Sequence, residues 1–431
     1  MSEKIIVIGA GASGLMLARK LSAAGKTIEI VEARNRVGGR ILTIHDDKMS
    51  MRIEAGAEFI HGKQSLTLQL LKEANLSYYP IDGTMMNATN PHHHEQSDVI
   101  EHEKLLVRKL KELQTDTSVQ QFLDLYFQDS KYDSFRKSIE GYVQGYDLAD
   151  LRLASAFALR DEWTKEDDDD FRIEKGYGAL MDFLKTESLN AGCSFHLNTI
   201  IRSIQWEPNA VKLISHDQKT FIGQKVVITI PIGILQSGPA NPAFIEFSPA
   251  LPVKLSAARA MGYGQVIKFV LEFNDAFWEN KKIVGNEIMK NLGFVFSQAA
   301  IPTWWTQLPV KTPILTGWFG GPKVNQLKGL NDEGLMQLAI DSLSKIFKID
   351  HAVLIELLIG YRVFNWADDD FTAGGYSYSS LEKQAHLAEL TTSTANTIFF
   401  AGEALIWGPS VGTVEGALVS GDNTAEQILR S

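Results

Sequence analysis

Residues 4–32 read KIIVIGAGASGLMLARKLSAAGKTIEIVE, and this stretch decides the fold class of the chain. Residues 4–9 are mostly branched and apolar, as in a short buried strand, and residues 13–24 predict a helix that ends at Gly25. Residues 27–32 predict a second strand. A strand, a helix and a second strand in this order form a βαβ unit, which is typical of an α/β fold.

The turn between the first strand and the helix carries the pattern G-x-G-x-x-G at Gly9, Gly11 and Gly14. Glycines allow a tight turn and close backbone approach to a pyrophosphate, and the start of the helix supplies amide donors. Glu32 ends the second strand, where its carboxylate can accept the hydroxyls of an adenosine ribose and would repel the 2′-phosphate of NADP. The pattern predicts a dinucleotide site, and its alternative is a glycine turn without a ligand.

The composition indicates a folded protein of two or three domains, at about 150 residues per domain. The chain has 431 residues, of which 45% are hydrophobic and 22% charged, so wholesale disorder and a small disulfide-stapled scaffold are excluded. The net charge is −10 and no long block of Lys and Arg occurs. We therefore expect no nucleic-acid partner, whereas cationic ligands are tolerated.

Cys193 is the only cysteine, which excludes an internal disulfide and any cluster that needs several thiolates. A reducing compartment fits this composition best. The sequence shows no signal peptide, no C-terminal peroxisomal tripeptide and no apolar run of about 20 residues that would span a membrane. We expect a cytoplasmic protein without a membrane span.

Periodicity divides the rest of the chain into helical and strand-rich parts. Residues 75–175 are mostly helical in pattern, with Leu105, Leu106 and Leu110 on one side of a charged helix. Strand patterns return after this layer, and the chain ends in a helical pattern. The other predicted elements are strands over 225–230 and 265–273 and helices over 333–347 and 414–430.

Several segments together resemble the flavin-containing amine oxidases, which include monoamine oxidases, polyamine oxidases and lysine-specific histone demethylases. They occur in the order of that family and cover nearly the whole chain. The segments are EARNRVGGR (32–40), EAGAEFIHG (54–62), VVITIPIGIL (226–235), GYGQVIKFVLEF (262–273), NWADDDFTAGGYSYS (365–379), FFAGEAL (399–405) and GTVEGALVSG (412–421).

The resemblance implies an α/β protein with a discontinuous Rossmann-like FAD-binding domain and a second, α+β substrate-binding domain. The FAD-binding domain would comprise residues 1–75, 175–250 and 366–431. The substrate-binding domain would comprise residues 76–174 and 251–365.

The cofactor implied by the resemblance is FAD. Gly375 stands where monoamine oxidases carry the cysteine that is bonded to the flavin, so we expect non-covalent FAD. An arginine fork and neighbouring glycines suit a diphosphate. The residues expected to bind the cofactor are Gly9, Gly11, Ala12, Ser13, Gly14, Glu32, Ala33, Arg34, Gly38, Gly39, Arg40, Ala57, Glu58, Phe59, Ile201, Trp366, Gly402, Glu403, Thr413, Val414 and Ala417.

Lys268 is a lone ammonium within the predicted strand QVIKFVLEF, on the same face as Val266 and Val270. One interpretation is a charge that protects an edge strand from aggregation. In the family, the matching lysine holds a water against flavin N5 and influences the reaction of the reduced flavin with oxygen. The resemblance therefore predicts a catalytic role for Lys268.

His61 and Tyr376 are the other predicted catalytic residues. The resemblance places His61 where polyamine oxidases hydrogen-bond the substrate amine, and a neutral imidazole can accept an amine proton. Tyr376 matches one wall of the tyrosine pair that encloses the amine in monoamine oxidases, and the opposite wall falls on Thr413. This departure favours the wider site of a polyamine oxidase.

We predict an amine oxidase, most similar to polyamine oxidases, that passes a hydride to flavin N5 and yields an imine, then an aldehyde, and hydrogen peroxide from O2. The alternatives are a monoamine oxidase, an L-amino-acid oxidase, a desaturase-like flavoprotein and a flavin-binding protein without turnover. Histone demethylation is remote because the chain has no length for an inserted helical tower. The particular amine and the oligomeric state stay open.

Three further patterns have bland interpretations. The run PHHHE (91–95) is predicted to be a solvated loop, because adjacent histidines cannot all turn to one ion, so we predict no metal site. Residues 167–170 are four aspartates, predicted to form an exposed turn or to attract polycations. Trp304 and Trp305 line a substrate channel or pack in the core, and Cys193 is predicted to be a small buried hydrophobe.

Overall fold

The computed structural model describes residues 3–88, 96–164, 169–285 and 289–431. A five-stranded parallel sheet forms one half of the described molecule, and its strands come from distant parts of the chain. Its order is β22 (Ile398–Phe400), β13 (Lys225–Ile228), β1 (Lys4–Ile8), β2 (Thr27–Val31) and β9 (Ser194–His196).

Both faces of this sheet are buried, which explains why its strands are almost continuously apolar. Ile5 and Val7 of β1 pack in one core cluster, and Ile6 and Ile8 pack in another. The first cluster contains α1 (Ala12–Ala23), α7 (Tyr177–Asn190) and α14 (Val414–Arg430). The predicted βαβ unit and the predicted α/β fold are confirmed, with each element of the unit ending within a residue or two of its predicted boundary.

A second sheet of four strands packs on the other face together with two helices. The helices are α8 (Ile232–Gln236) and α9 (Pro252–Ala260). The strand order is β12 (Thr220–Gly223), β11 (Ala210–Ser215), β10 (Ile201–Glu207) and β14 (Glu246–Ser248).

A six-stranded sheet dominates the other half of the molecule. It packs against α11 (Asp332–Phe347) and α12 (His351–Leu357). The strand order is β20 (Leu358–Asn365), β16 (Val266–Phe273), β19 (Ile314–Gly320), β18 (Thr303–Trp305), β17 (Leu292–Phe296) and β7 (Thr84–Asn87).

The strand that carries Lys268 lies inside this sheet. β16 pairs with β19 on one side and β20 on the other, so Lys268 faces Trp318 and Phe364 in the two registers. The interpretation of Lys268 as a charge that protects an edge strand from aggregation is therefore wrong, because β16 is paired on both sides. The predicted alternation is confirmed, since Ile267 and its apolar partners at every second position pack in the α11 core.

The helical layer predicted for residues 75–175 is present in the described residues. Leu106 and Leu110 are fully buried on one side of α3, and Leu105 is half-buried beside them. The helices of this layer are α3 (Gln96–Glu112), α4 (Val119–Tyr126), α5 (Asp133–Gly145) and α6 (Ala156–Trp163). Residues 91–95 lie outside the described part of the chain, as do residues 167 and 168 of the aspartate run.

Small sheets and short helices connect these layers. The two-stranded sheets pair β15 (Gly262–Tyr263) with β21 (Ser377–Tyr378) and β3 (Thr43–Ile44) with β4 (Ile53–Glu54). The three-stranded sheet has the order β5 (Ile60–His61), β8 (Asp170–Ile173) and β6 (Tyr78–Pro80). The other helices are α2 (Ser65–Glu73), α10 (Lys281–Val284) and α13 (Lys383–Thr391).

Neither a membrane-spanning helix nor a metal cluster occurs in the described residues. None of their helices is both long and apolar enough to cross a bilayer. Within the same ranges, no group of three or more His, Cys, Asp or Glu side chains could hold a metal ion. Cys193 is buried in the α1 core, as predicted.

Candidate active site

One cavity of about 1220 Å³ runs from the glycine turn of the nucleotide sheet to the wall formed by β16, β18 and β19. It is lined by Lys268, His61 and Tyr376 and by every residue predicted to bind the cofactor except Gly14. The structure thus brings together side chains that are up to about 400 residues apart in the sequence, in the arrangement expected for a large ligand held between two domains.

The glycine turn leaves space and an unpaired donor for a diphosphate. A Cβ added at Gly11 would meet nothing within 4 Å, so the backbone there faces open space. Ser13, in the first turn of α1, has a buried Oγ without a hydrogen-bond partner among the described residues. Gly14 serves packing instead, because its Cβ would lie 2.1 Å from the carbonyl oxygen of Gly9. The open cradle and the orphaned hydroxyl fit the FAD pyrophosphate.

Glu32 is held rigidly at the end of β2. The backbone N–H of Ala10 donates to Oε2 at 2.7 Å, and the N–H of Arg34 donates to Oε1 at 2.8 Å. Burial raises the pKa of Glu32, although these two hydrogen bonds act in the opposite direction. The second lone pair of each oxygen is available for ribose hydroxyls.

The loop after β2 is pinned by two arginines. Arg36 donates to the carbonyl oxygen of Gly39 at 2.9 Å, and Arg40 donates to the carbonyl oxygen of Gly375 at 2.7 Å. Arg40 also forms an ion pair of 2.8 Å with Glu403. These contacts hold the backbone of Gly38 and Gly39 at the surface of the cavity, where it can approach phosphate oxygens.

Aromatic and apolar side chains line the walls between the two ends. Trp366 donates from Nε1 to the carbonyl oxygen of Ala55 at 2.9 Å and faces the cavity. The sequence analysis left open whether Trp304 and Trp305 pack in the core or line a channel. Trp304 is fully buried in the core, whereas Trp305 lines the cavity beside Phe59. Adjacent strand residues point to opposite faces, which explains the division.

Lys268 sits at the centre of a buried ionic network. Its Nζ donates to Oε2 of Glu58 at 2.7 Å and to the carbonyl oxygen of Gly56 at 3.1 Å. The side chain is only 1% exposed, and the ammonium lies 5.6 Å from the ring centre of Trp305. An ammonium has three donors, so one remains for a group in the cavity.

Glu58 joins Lys268 to a second cation that the sequence analysis did not single out. Arg172 donates from Nε to Oε1 of Glu58 at 2.9 Å, and Trp305 donates to the same oxygen at 3.1 Å. Burial would raise the pKa of Glu58, but the charges of Lys268 and Arg172 outweigh it and lower the pKa to about 2. Two cations and one carboxylate leave a net positive charge at this wall.

His61 is oriented by an acid on the neighbouring strand. β5 pairs with β8 so that His61 lies opposite Asp170, and Nδ1 is 3.2 Å from Oδ2 of Asp170. When Nδ1 carries the proton and donates to Asp170, Nε2 is left as an acceptor. The ring also contacts Tyr146 edge to face, with centroids 5.9 Å apart.

Tyr376 forms an aromatic wall with Trp318, which the sequence analysis also missed. The two rings stack with centroids 6.3 Å apart and an interplanar angle of 22°. The hydroxyl of Tyr376 donates to the carbonyl oxygen of Tyr146, and Trp318 donates to that of Gly145 at 2.8 Å. Thr413 lines the cavity and caps α14, because its Oγ1 accepts the N–H of Gly416 at 3.1 Å.

Acidic side chains line the cavity beyond His61. They include Asp147, Glu162 and Asp170, and Glu162 accepts the hydroxyl of Tyr142 at 2.7 Å. Burial and the charge of Glu162 raise the pKa of Asp147 well above its usual value. The pair formed by Asp147 and Glu162 therefore carries close to one negative charge rather than two.

Glu54, at the end of β4, lies close enough to Lys268 and Glu58 to feel their charges, so it allows the electrostatics of that network to be tested. Burial raises its pKa from 4.5 to about 7, while hydrogen bonding from Thr43 and the charge of Lys268 oppose the rise. A carboxyl whose pKa is raised on folding stabilises the fold below pH 4.5 and loses this contribution as the pH rises through 7. Between pH 4.5 and pH 7, the unfolding free energy of the parent should fall by about 3 kcal/mol more than that of Glu54→Gln. Urea denaturation at each pH measures this difference. Glu207→Gln, at an exposed position, is the matched control; an unchanged pH dependence in Glu54→Gln would contradict the prediction.

The glycine turn, Glu32 and the loop held by Arg36 and Arg40 open on a cavity that extends to the six-stranded sheet, which is the arrangement of a dinucleotide-binding protein. The family model described as flavin containing amine oxidoreductase matches residues 12–429. The chain therefore belongs to the flavin-containing amine oxidoreductases. It is an FAD-dependent oxidoreductase that acts on amines.

Individual relatives are distant but cover the chain. Polyamine oxidase 2 of Arabidopsis thaliana is 25% identical over 99% of this chain and 88% of its own length. Lysine-specific histone demethylase 2 of Homo sapiens is 23% identical over 99% of this chain, which spans 53% of that relative.

Solved structures share the fold over the whole chain. Putrescine oxidase bound to putrescine is similar with a TM-score of 0.79 at 19% identity, covering 100% of both chains. Cyclohexylamine oxidase from Brevibacterium oxydans IH-35A is similar with a TM-score of 0.80 at 19% identity, covering 100% of this chain and 99% of its own.

Proposed function

We propose that the protein oxidises a diamine or polyamine, with O2 as the electron acceptor, and that FAD is bound without a covalent link. The observation that carries the substrate class is the acidic wall of Asp147, Glu162 and Asp170 in the same cavity as Lys268 and Tyr376. A second ammonium of the substrate would be attracted to this wall while the reacting nitrogen lies beside Tyr376. The relatives named polyamine oxidase and putrescine oxidase support the same class.

The reaction needs a neutral amine at the reacting carbon. FAD, when bound in this cavity, would supply a two-electron acceptor for the hydride of the carbon next to the nitrogen. An alkylamine with a pKa near that of lysine, ~10.4, is neutral in only about one molecule in two thousand at pH 7. His61 Nε2, with Nδ1 bonded to Asp170, is placed to accept the proton, and the Tyr376–Trp318 wall keeps water from the nitrogen. Water would then hydrolyse the imine to an aldehyde, releasing ammonia from a primary nitrogen or a shorter amine from a secondary one, and O2 would take the two electrons and two protons as hydrogen peroxide.

Two arginines in or next to the cavity lining give no support to an L-amino-acid oxidase, which would need a cation for the substrate carboxylate. Arg172 is committed to Glu58, and Arg160 forms an ion pair of 3.0 Å with Asp161. Two observations support FAD without a covalent link: Gly375 stands at the matching position, and Cys193 is buried in the α1 core and is not part of the cavity lining. The lone buried thiol also suits a cytoplasmic protein.

The test of the proposed function is anaerobic. The purified yellow protein is mixed with putrescine, spermidine, spermine, simple monoamines and L-amino acids, and the flavin absorbance near ~450 nm is followed. We expect the fastest bleaching with a diamine or polyamine. Bleaching by monoamines alone would overturn the substrate class, and no bleaching by any amine would favour a desaturase-like or non-catalytic flavoprotein.

The acidic wall predicts unequal effects of its two buried carboxyls. Burial as well as the charge of Glu162 raises the pKa of Asp147, so Glu162 carries most of the negative charge and Asp147→Asn alone should keep most activity, whereas Glu162→Gln should keep less. We expect Asp147→Asn/Glu162→Gln to lower kcat/KM for spermidine by about tenfold or more, with little change for a simple monoamine. Glu207→Gln, exposed on β10, is the control variant. Equal losses for both substrates would mean that the pair supports structure and not substrate charge.

His61 predicts a change in pH dependence. We expect His61→Ala to lower kcat/KM by about 100-fold near pH 7 and by less at high pH, where more of the amine is already neutral. His61→Gln keeps a hydrogen-bond acceptor and should retain more activity than the alanine variant. A pH–rate profile that is unchanged in His61→Ala would remove His61 from the mechanism.

A further inference from the structure

Lys383 is a buried lysine in the cavity wall without an acidic partner. It is the first residue of α13 and is only 3% exposed. Its Nζ has one hydrogen bond, to Oγ of Ser379 at 3.5 Å, which is the outer limit of such a contact. Within the described ranges, no carboxylate lies in ion-pair distance of Lys383.

The other buried lysines of the described chain are all paired. Lys225 lies 2.5 Å from Glu3, Lys254 lies 2.9 Å from Glu389, and Lys268 lies 2.7 Å from Glu58. Lys383 thus stands apart as a buried amine that faces the cavity and lacks this compensation. A buried ammonium without a partner is costly, so the side chain is driven toward the neutral amine.

The electrostatic surroundings lower the pH at which the neutral amine becomes populated. Burial lowers the pKa of Lys383 to about 8, and the charge of Glu403 opposes this only in part. Glu382, its neighbour in sequence, is exposed to solvent. A desolvated neutral lysine is the form that attacks carbonyl carbons, as in enzymes that use Schiff bases.

We propose that Lys383 is a covalent acceptor site for small aliphatic aldehydes inside the cavity. The amine lone pair of Nζ attacks the carbonyl carbon, the new C–N bond becomes an imine, and the carbonyl oxygen leaves as water together with the two protons of the amine. The step consumes no oxidant or reductant, and hydrolysis of the imine reverses it. The site itself is independent of turnover, and only its supply of aldehyde rests on the proposed function.

The location gives this chemistry a consequence. An aldehyde released by amine oxidation would be formed in the cavity that Lys383 lines, at a high local concentration relative to bulk solvent. Imine formation there would replace an amine by a bulkier group that narrows the cavity. Continuous turnover would then slow progressively unless an aldehyde scavenger is present.

The test uses the flavin-loaded protein and added propanal with sodium cyanoborohydride, which converts an imine to a stable propyl amine. After digestion, mass spectrometry gives the labelled fraction of each lysine between pH 7 and 9. We expect Lys383 to be labelled at least about tenfold more than Lys225 and Lys254, which are equally buried but paired. Denatured protein, in which all lysines react, calibrates the peptides.

Labelling of Lys383 no greater than that of Lys225 would overturn the proposal. A second arm replaces propanal by spermidine and air. Labelling with propanal but not during turnover would leave the acceptor site standing and contradict the release of an aldehyde, so the two failures are distinguishable. Lys383→Met should abolish the slow loss of activity during turnover while leaving the initial rate close to that of the parent.

Discussion

Lys268→Met should slow the reoxidation of the reduced flavin by air about 100-fold, the cost typical of removing one preorganised charge beside a reacting centre. The physical reason is the net positive charge of the group formed by Lys268, Arg172 and Glu58. Lys268 and Arg172 leave one net positive charge around Glu58, and the variant reduces this to a neutral Arg172–Glu58 pair. Electron transfer to O2 creates negative charge, which the cation stabilises in a site with little water.

The measurement separates two half-reactions by stopped flow. Anaerobic reduction by spermidine should change far less than reoxidation, because the hydride transfer proposed above would need no cation beside the reacting carbon. Lys254→Met is the matched control, since Lys254 is buried and ion-paired but does not line the cavity. If Lys268→Met slowed reduction and left reoxidation unchanged, Lys268 would act on the amine and not on oxygen.

The nucleotide-binding half could be predicted from local pattern. A run of branched residues, a glycine turn and a second strand specify a βαβ unit within residues 4–32, because each of these signals acts over a few residues. The alternation along β16 likewise follows from the two-residue period of a strand. These local features do not depend on how the rest of the chain pairs in the folded protein.

The partners of the reactive groups could not be predicted, because they are set by tertiary pairing. Arg172 reaches Glu58 from a strand more than a hundred residues later, and Asp170 reaches His61 through the β5–β8 register. Nothing within either segment signals the other. Trp318 meets Tyr376 for the same reason, since β19 and the loop after β20 converge only in the folded chain.

The edge-strand interpretation of Lys268 shows why local pattern misleads for charged residues. A lysine among apolar neighbours looks the same in an edge strand, where it faces water, and in a central strand, where it faces a cavity. Strand order alone separates the two cases, and β16 lies between β19 and β20. The buried carboxylate of Glu58 is the compensating signal, but it lies two hundred residues away in the sequence.

Gly11→Val should weaken FAD binding by about 100-fold or more while leaving the fold largely intact. A Cβ at Gly11 would meet no protein atom within 4 Å, and the backbone there has φ −77°, which a valine tolerates. The added methyls would instead fill the space that the open cradle offers to phosphate oxygens. Loss of one or two charge-assisted hydrogen bonds costs about 3 kcal/mol, which corresponds to a factor of about 100 in Kd.

The contrast with Gly14→Ala makes the prediction specific. At Gly14 the Cβ would lie 2.1 Å from the carbonyl oxygen of Gly9, so α1 must shift away from β1 and the protein itself is destabilised. Gly11→Val should therefore lower the ratio of flavin to protein absorbance with a near-parental urea midpoint at saturating FAD. Gly14→Ala should lower that midpoint even at saturating FAD. A Gly11→Val protein that retains full flavin at submicromolar concentration would mean that the pyrophosphate does not lie over this turn, and the assignment of Ser13 and Gly11 to the cofactor would fall with it.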